Sequence, residues 1–219
     1  MTTDMTKEEF FSYIDHTQLQ PYAVWADIDT LCAQAVQYGM ASVCIPSSYV
    51  RQAREAYPAL TICTVIGFPH GNMNTAAKLA EAKQALADGA DEFDMVIQIG
   101  RAKDGFYDQI EDEIRQIKEA VGDHILKVII ETCYLTDEEK IRVCKAVTNA
   151  GADFIKTSTG FGTAGATPED VKLLREHVGE HVQVKAAGGI RTLADAVRCL
   201  EAGCSRIGAS RGLEMAKDL

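Results

Sequence analysis

Short apolar runs alternate strictly with longer amphipathic stretches along this chain. Eight runs have the composition of β-strands, at 16–19, 42–45, 61–67, 92–97, 126–131, 154–158, 182–187 and 206–210. Helical periodicity fills the intervals, at about 24–38, 48–57, 74–88, 106–121, 137–149, 168–177 and 192–202, with a short segment after 211. Strict alternation implies parallel strands joined by helical crossovers. Eight such units favour a closed (β/α)8 barrel over a doubly wound open sheet.

The helix boundaries carry signals of their own. Thr136 followed by Glu139 is a capping-box pattern, and Thr167 with Pro168 is an N-cap and first-turn pair. Thr6 opens an extra helix ahead of the first strand. A length of 219 residues is compatible with one domain or two, but no linker or break in composition divides the chain. We therefore predict an α/β fold in which residues 1–219 form a single TIM barrel domain with an extra N-terminal helix.

A glycine repeat gives a sharper prediction. Four glycines each end a predicted helix and lead into the second, fourth, sixth or eighth strand: Gly39, Gly89, Gly151 and Gly203. Five residues after each glycine stand Cys44, Asp94, Lys156 and Gly208. Alternate strands of such a barrel contribute the side chains of one interior layer. We therefore predict that Asp94 and Lys156 point into the same layer.

Charge and composition exclude several classes of function. The net charge is −10, and no basic stripe is available for nucleic acid or an anionic membrane surface. The sequence lacks a signal-peptide pattern and an apolar stretch of membrane-spanning length, so a cytoplasmic protein is expected. Seven cysteines without a C-x-x-C pair favour buried, reduced thiols over disulfides or zinc ligands.

Ionisable residues inside apolar strands are the strongest chemical signal. Lys127, Lys156 and Lys185 each lie within such a run, and Asp94 occupies the repeat-equivalent position in the fourth strand. A single lysine of this kind could face outward or pair with an acid such as Glu131. Three lysines together with Asp94 favour a site, because buried lysine and aspartate are rare unless they are paired.

Crowded lysines have a definite chemical consequence. A neighbouring ammonium and partial desolvation both lower the pKa of a lysine amine, which leaves a free amine able to attack a carbonyl. Schiff-base chemistry needs a nucleophilic amine, a second cation and an acid/base group. Lys156, Lys185 and Asp94 could fill those roles in that order.

Glycine turns indicate phosphate recognition. Gly188 and Gly189 follow the seventh strand, Gly208 and Ser210 belong to the eighth strand and its turn, and Gly160 follows the sixth. Barrel enzymes frequently bind phosphate in the loops after strands seven and eight, where unpaired amides face the anion. Glycines also serve merely to turn the chain, but their position at these loops favours a phosphate site.

Other chemistries have little support. The five histidines show no metal-ligand spacing, and no G-x-G-x-x-G follows the first clear strand. Cys44 is interpreted as a buried apolar thiol rather than a nucleophile. We therefore expect neither a metal site nor dinucleotide binding.

The segments IDHTQLQP, ASVCIPSSYV, TVIGFPHG, EFDMVIQIG, LKVIIET, FIKTSTGF, VKAAGGIR and RIGAS occur in this order over nearly the whole chain. Together they resemble the deoxyribose-phosphate aldolase family of bacterial class I aldolases. The resemblance implies reversible cleavage of 2-deoxy-D-ribose 5-phosphate to D-glyceraldehyde 3-phosphate and acetaldehyde in deoxyribonucleoside catabolism. It implies no cofactor, a small-molecule substrate and a homodimer.

Roles for individual residues follow from the same resemblance. It implies that Lys156 of the KTSTG motif forms the Schiff base, with Lys185 as the neighbouring cation and proton-transfer residue and Asp94 as the acid/base. Supporting residues implied for the site are Lys127, Asp15 and Thr17. The implied phosphate ligands are Gly160, Gly188, Gly189, Gly208 and Ser210. Arg211 replaces the small residue usual after that serine, and would either contact phosphate or point to solvent.

Two alternatives remain open at the level of sequence. One is another Schiff-base TIM-barrel aldolase that acts on a different sugar phosphate, which would prefer ketone donors to acetaldehyde. The other is a catalytically silent barrel that binds sugar phosphates. A silent barrel predicts a missing acid/base residue, whereas Asp94, Lys156 and Lys185 are all present.

Overall fold

The eight strands form a closed parallel barrel in sequence order. The structure, a computed structural model, describes residues 5–219, so residues 1–4 of the predicted domain lie outside the described residues. The strands are Ile14–Thr17 (β1), Ser42–Ile45 (β2), Ile62–Ile66 (β3), Glu92–Val96 (β4), Ile125–Ile129 (β5), Phe154–Lys156 (β6), Gln183–Ala187 (β7) and Arg206–Ala209 (β8). Pairing of Ile14 with Ile207 and of Asp15 with Gly208 closes β1 on β8. The predicted fold class is confirmed.

Helices surround the barrel and connect its strands. They are Lys7–Ser12 (α1), Trp25–Tyr38 (α2), Val50–Ala56 (α3), Thr75–Ala87 (α4), Ile99–Lys103 (α5), Tyr107–Val121 (α6), Asp137–Asn149 (α7), Pro168–His177 (α8), Leu193–Glu201 (α9) and Gly212–Met215 (α10). Single 3₁₀ turns occur at Ser47–Tyr49, Thr132–Tyr134 and Ala216–Asp218. The predicted N-terminal helix is α1, and the Thr6 hydroxyl caps it by accepting a hydrogen bond from the Glu9 amide at 3.1 Å.

Most predicted boundaries agree with the structure to within one or two residues. The first strand is the main difference, because the sequence predicts it at 16–19 and it begins at Ile14, where pairing with β8 requires it. Helix α5 is absent from the sequence-based prediction, since its five residues IGRAK are too few to show helical periodicity. The capping box of Thr136 and Glu139 and the Thr167 cap are both confirmed.

The repeat glycines occur where the chain turns from a helix into a strand. Gly39, Gly89, Gly151 and Gly203 all have positive φ, between 64° and 110°. This left-handed conformation costs a glycine little, and it ends the helix. Because the same turn precedes every second strand, equivalent residues of these strands reach the same height in the barrel.

The apolar core lies between the barrel and the helices, whereas much of the barrel interior is charged. Phe10, Ile28, Ile114 and Leu174 are among the helix residues buried against the strands. All seven cysteines are free; Cys133 is half-buried and the other six are buried. Among residues 5–219, no helix is long and apolar enough to cross a membrane.

Candidate active site

The three strand lysines converge on one carboxylate inside the barrel. Asp94 lies on β4 with no exposed surface. Its Oδ2 accepts hydrogen bonds from Lys156 Nζ of β6 at 2.7 Å and from Lys185 Nζ of β7 at 2.6 Å. Its Oδ1 accepts from Lys127 Nζ of β5 at 3.0 Å and from the Cys63 thiol at 3.1 Å. The prediction that Asp94 and Lys156 share an interior layer is confirmed.

The other two repeat-equivalent positions lie beside this carboxylate. The Cys44 sulfur lies within 4.8 Å of both Cys63 Sγ and an Asp94 carboxylate oxygen. At Gly208, a Cβ atom would lie 3.3 Å from Lys185 Cε. The missing side chain therefore makes room for Lys185 inside the barrel.

The strand lysines do not pair with Glu131, which was the simpler interpretation of these residues. Lys185 makes an ion pair with Asp15 of β1 at 2.5 Å, and Asp15 in turn lies 2.6 Å from the Arg206 guanidinium of β8. Glu131 instead accepts hydrogen bonds from Thr159. The partners of the lysines are thus acids on other strands of the barrel.

A second chain of contacts returns from Arg206 to Asp94. The Arg206 guanidinium lies 2.8 Å from Glu92 Oε2, and the same oxygen accepts from Lys127 Nζ at 2.5 Å. Lys127 then reaches Asp94. The six groups therefore form a closed ring of alternating charge, in the order Asp94, Lys185, Asp15, Arg206, Glu92 and Lys127. Three carboxylates balance three cations in this ring, and the ammonium of Lys156 is an additional charge attached to it.

Arg206 and Glu92 were missed in the sequence, although the glycine repeat contains the signal for both. Glu92 stands three residues after Gly89, and Arg206 three residues after Gly203. Side chains two residues apart on a strand point to the same face. Glu92 therefore lies one layer below Asp94, and Arg206 one layer below Gly208.

In the ring, the effect of burial on each pKa is opposed by the opposite charges beside it. Burial raises the pKa of Asp94, but the ammonium groups of Lys127, Lys156 and Lys185 outweigh burial and hold it well below its usual range. Burial lowers the pKa of Lys185, but Asp15 and Asp94 outweigh burial and raise it above its usual value. Burial likewise lowers the pKa of Lys127, and Asp94 is the largest of the charges that outweigh burial and raise it.

The pKa values of Lys127 and Lys185 are thus raised, although burial acts to lower both. Carboxylates stand between these lysines and reverse the effect of like charge. Both lysines remain ammonium ions, and both are fully buried. Neither is available as a nucleophile.

Lys156 differs from the other two lysines in its access to solvent. A cavity of about 570 Å³ opens at the carboxyl ends of the strands, and Lys156 lies at its floor. Of the three strand lysines, all within the described part of the chain, Lys156 alone lines this cavity. Thr17 lines it as well, whereas Asp15 is buried below. The structure thus selects one lysine that a ligand could reach.

Glycine backbone forms the rim of the same cavity. All five predicted phosphate ligands line it, namely Gly160, Gly188, Gly189, Gly208 and Ser210. Gly160, Gly188 and Gly189 have positive φ, of 88°, 81° and 75°. A Cβ atom at Gly188 would lie 3.2 Å from the Gly160 Cα and 3.3 Å from the Gly165 Cα. Only glycine allows the turns after β6 and β7 to pack this closely.

Two arginines extend the rim. Arg211 lines the cavity and makes a 3.6 Å ion pair with Glu214, with more than half of its side chain exposed. Arg191, which the sequence motifs did not single out, also lines the cavity. Helix α9 begins beyond Gly189, and the Thr192 hydroxyl and Asp195 occupy its first turn. The rim therefore offers turn amides and guanidinium groups rather than a free helix end.

One group within residues 5–219 has the composition of a metal site. Cys44, Cys63 and Asp94 place their ligand atoms within 4.8 Å of one another. Lys127 Nζ lies 3.4 Å from Cys63 Sγ, and Lys156 and Lys185 contact Asp94. These ammonium groups repel a cation, so the arrangement favours a carboxylate shared among lysines over a bound metal ion.

Comparison with known proteins identifies the family of this chain. Residues 5–217 match the model of the DeoC/LacD family aldolases. The chain belongs to this aldolase family. A deoxyribose-phosphate aldolase of Clostridium botulinum (strain Alaska E43 / Type E3) is 54% identical to this aldolase over 214 residues, which cover 97% of each chain. One from Clostridioides difficile (strain 630) is 55% identical over 198 residues, or 90% of each chain.

A solved structure shows the same architecture. The deoxyribose phosphate aldolase of Aeropyrum pernix superimposes on this aldolase with a TM-score of 0.89 at 31% identity. The match covers 97% of this chain and 92% of the other. The relatives are thus matched over nearly their whole length.

Proposed function

We propose that this aldolase reversibly cleaves 2-deoxy-D-ribose 5-phosphate to D-glyceraldehyde 3-phosphate and acetaldehyde through a Schiff base on Lys156. The observation that carries the proposal is the position of Lys156. It is the strand lysine at the cavity floor, and its charge is the one that the ring of Asp94, Lys185, Asp15, Arg206, Glu92 and Lys127 leaves unbalanced.

The covalent steps need only the lysine and proton transfer. The free amine of Lys156 attacks the aldehyde carbon C1, and the resulting carbinolamine loses water to form an iminium ion. Removal of the proton from the C3 hydroxyl breaks the C2–C3 bond, and the electron pair flows into the iminium ion to give an enamine. Glyceraldehyde 3-phosphate leaves. Protonation of the enamine at C2 and addition of water release acetaldehyde and regenerate the amine.

Asp94 and Lys185 are suited to the proton transfers. Asp94 Oδ2 accepts from both Lys156 and Lys185, so a proton released at Lys156 has an acceptor in direct contact. Lys185 keeps a positive charge beside the reacting nitrogen. Lys127 and Asp15 hold Asp94 and Lys185 in place, and Thr17 lines the cavity above them.

The phosphate of the substrate is assigned to the rim. Amides of Gly160, Gly188 and Gly189 are suited to a dianion, and Gly208 near the end of β8 and Ser210 just after it line the same cavity. Local groups of this kind allow a chain with a net charge of −10 to hold a phosphate. The reactive aldehyde then lies at the floor and the phosphate at the rim of one cavity.

Borohydride trapping tests the proposal directly. Incubation with 2-deoxyribose 5-phosphate and borohydride reduces the imine to a stable secondary amine, which peptide mass mapping locates. We expect the adduct on Lys156. An adduct on Lys127 or Lys185, or none, would contradict the assignment. A parallel incubation without substrate controls for adventitious modification.

The donor preference separates this activity from other Schiff-base aldolases. We expect acetaldehyde to be used far better than ketone donors in the condensation direction. We also propose that the chain works in the cytoplasm as a homodimer, on the basis of its resemblance to the family. The Aeropyrum pernix relative is a tetramer, so sedimentation analysis of this chain is the test of its assembly.

A further inference from the structure

Glu131, just beyond β5, adopts an unusual backbone conformation. It is the one non-glycine residue among residues 5–219 with positive φ, at φ 52° and ψ 69°. The side chain is buried, with 2% of its surface exposed. Left-handed backbone is unfavourable for a residue with a long side chain, and it persists where the surroundings impose it, often beside a functional site.

The carboxylate of Glu131 binds one residue of the loop after β6. The Thr159 amide donates to Glu131 Oε1 at 3.1 Å, and the Thr159 hydroxyl donates to Oε2. The Thr159 hydroxyl oxygen in turn accepts from the Phe161 amide at 3.0 Å. Thr159 is therefore fixed on both sides, and the turn through Gly160 is fixed with it.

The loop passes directly over this carboxylate. A Cβ atom at Gly162 would lie 3.1 Å from Glu131 Cδ. The Thr132 amide donates to the Thr157 carbonyl at 2.9 Å, which ties the neighbour of Glu131 to the start of the same loop. The backbone after β5 thus holds the loop at Thr157, and the Glu131 carboxylate holds it at Thr159.

Glu131 does not itself line the substrate cavity. It lines an adjacent cavity of about 270 Å³, and Thr159 and Phe161 form a wall shared by the two. Any effect of Glu131 on a substrate must therefore pass through Thr159. The groups on the other side of this wall belong to the rim, where Gly160 lies, rather than to the floor.

We propose that Glu131 is a positioning residue for the phosphate end of the substrate. Its carboxylate sets the Thr159–Phe161 turn so that Gly160 presents its backbone to the phosphate. This proposal rests on the proposed function, because it assigns Glu131 to the phosphate half of that reaction. It predicts that loss of the carboxylate weakens recognition of phosphate while the chemistry at Lys156 continues.

Two variants at position 131 distinguish the effect of losing the carboxylate from the effect of the strained backbone. Glu131→Gly removes the carboxylate and suits the positive φ, whereas Glu131→Gln keeps the shape and one acceptor oxygen. We expect the KM for 2-deoxyribose 5-phosphate to rise about tenfold or more in Glu131→Gly and roughly threefold in Glu131→Gln. In both variants kcat/KM for unphosphorylated 2-deoxyribose should stay within about twofold of the parent.

Thr159→Val, alone and combined with Glu131→Gly, tests whether Glu131 acts through Thr159. Thr159→Val should raise the same KM. In the double variant Glu131→Gly/Thr159→Val the two effects should be less than additive, because both changes remove the hydrogen bond from the Thr159 hydroxyl to Glu131 Oε2. Glu139→Gln is a matched control. Its carboxylate also accepts from a backbone amide, that of Thr136 at 2.7 Å, but it caps α7 away from the cavity.

A binding measurement keeps the result independent of turnover. Calorimetry with glycerol 3-phosphate should show weaker binding to Glu131→Gly and Glu131→Gln than to the parent chain. If the parent does not cleave 2-deoxyribose 5-phosphate, the proposed function fails while this measurement still decides the role of Glu131. Equal losses with phosphorylated and unphosphorylated substrates, or unchanged glycerol 3-phosphate binding in both variants, would overturn it. If Glu131→Gly does not fold, the binding and kinetics of Glu131→Gln decide between these outcomes.

Discussion

The floor and the rim of the substrate cavity consist of different chemical groups. Charged side chains on strands form the floor, and each is held by an opposite charge on another strand. Glycine backbone in loops forms the rim, held by close chain packing around Gly188 and by the Ala166 amide, which donates to the carbonyls of Ala187 and Gly188. The floor is buried, whereas Gly160 and Arg211 at the rim are exposed.

Under the proposed function, this difference assigns proton transfer to the floor and phosphate binding to the rim. Proton transfer needs groups of defined charge at fixed positions, which strands and ion pairs provide. Holding a phosphate needs several amides that converge on one anion, which a turn can present. Changes at the floor should therefore act mainly on kcat, and changes at the rim mainly on KM for phosphorylated substrates.

Lys185→Leu at the floor should have the largest effect. Its ammonium shares Asp94 Oδ2 with Lys156, so its loss removes both a proton-transfer group and a neighbouring cation. We expect kcat to fall by roughly 10²- to 10⁴-fold. Loss of this buried cation should also move the pH–rate profile to higher pH.

Lys185→Arg is the control for charge. It keeps a cation between Asp15 and Asp94 but changes the geometry of the proton donor. We expect a low kcat with the profile close to that of the parent. An unshifted profile in an active Lys185→Leu variant would reject the electrostatic part of the comparison.

Gly188→Ala at the rim should have an intermediate effect. The new Cβ would require strained backbone at φ 81° and would press on Gly160 and Gly165. Strain of about 1–3 kcal/mol is expected there, enough to raise the KM for 2-deoxyribose 5-phosphate about tenfold or more. Steady-state kinetics should show a much smaller change in kcat.

Gly105→Ala is the matched control for backbone strain. Gly105 also has positive φ, at 79°, but a Cβ there would meet no atom within 4 Å. This variant should lose stability in thermal unfolding without a change in KM. If Gly188→Ala lowered kcat and left KM unchanged, the division between floor and rim would be wrong.

Arg211→Ser should have the smallest effect. The side chain is mostly exposed and is already shared with Glu214. Exposed ionic contacts contribute at most about 1 kcal/mol, so we expect KM to rise only a few-fold. The difference from the parent should shrink at high salt, because screening weakens such a contact. An effect that persists at high salt would indicate a direct, desolvated phosphate contact.

The sequence was sufficient to predict the barrel and the centre of the floor. Alternation predicted the fold, and the glycine repeat placed Asp94 and Lys156 in one layer because it marks equivalent turns. The order of the strands also placed the turns after β6, β7 and β8 at one end of the barrel, where their glycines line a single cavity. Each of these inferences depends on the number of residues between elements or glycines, which can be counted in the sequence.

The pairing of charges between strands could not be predicted in the same way. Asp15 and Arg206 are 191 positions apart, yet Arg206 Nε donates to Asp15 Oδ1 at 2.7 Å. The sequence around Lys185, which contacts both Asp15 and Asp94, does not distinguish it from Lys156, which contacts Asp94. The raised pKa of Lys185 and the accessible position of Lys156 therefore required the structure. The role proposed for Glu131 was equally hidden, because backbone conformation decides it.

The ring of charges also bears on how the molecule assembles. Its members lie on β1, β4, β5, β7 and β8, and the contact between Asp15 and Arg206 crosses the seam where the last strand meets the first. A partly folded chain that had yet to dock β8 would leave Asp15 and Glu92 inside the barrel without their guanidinium partner, at a cost in free energy. Half-closed intermediates are thereby disfavoured. The same charges that prepare the floor for catalysis should make closure of the barrel an all-or-none event.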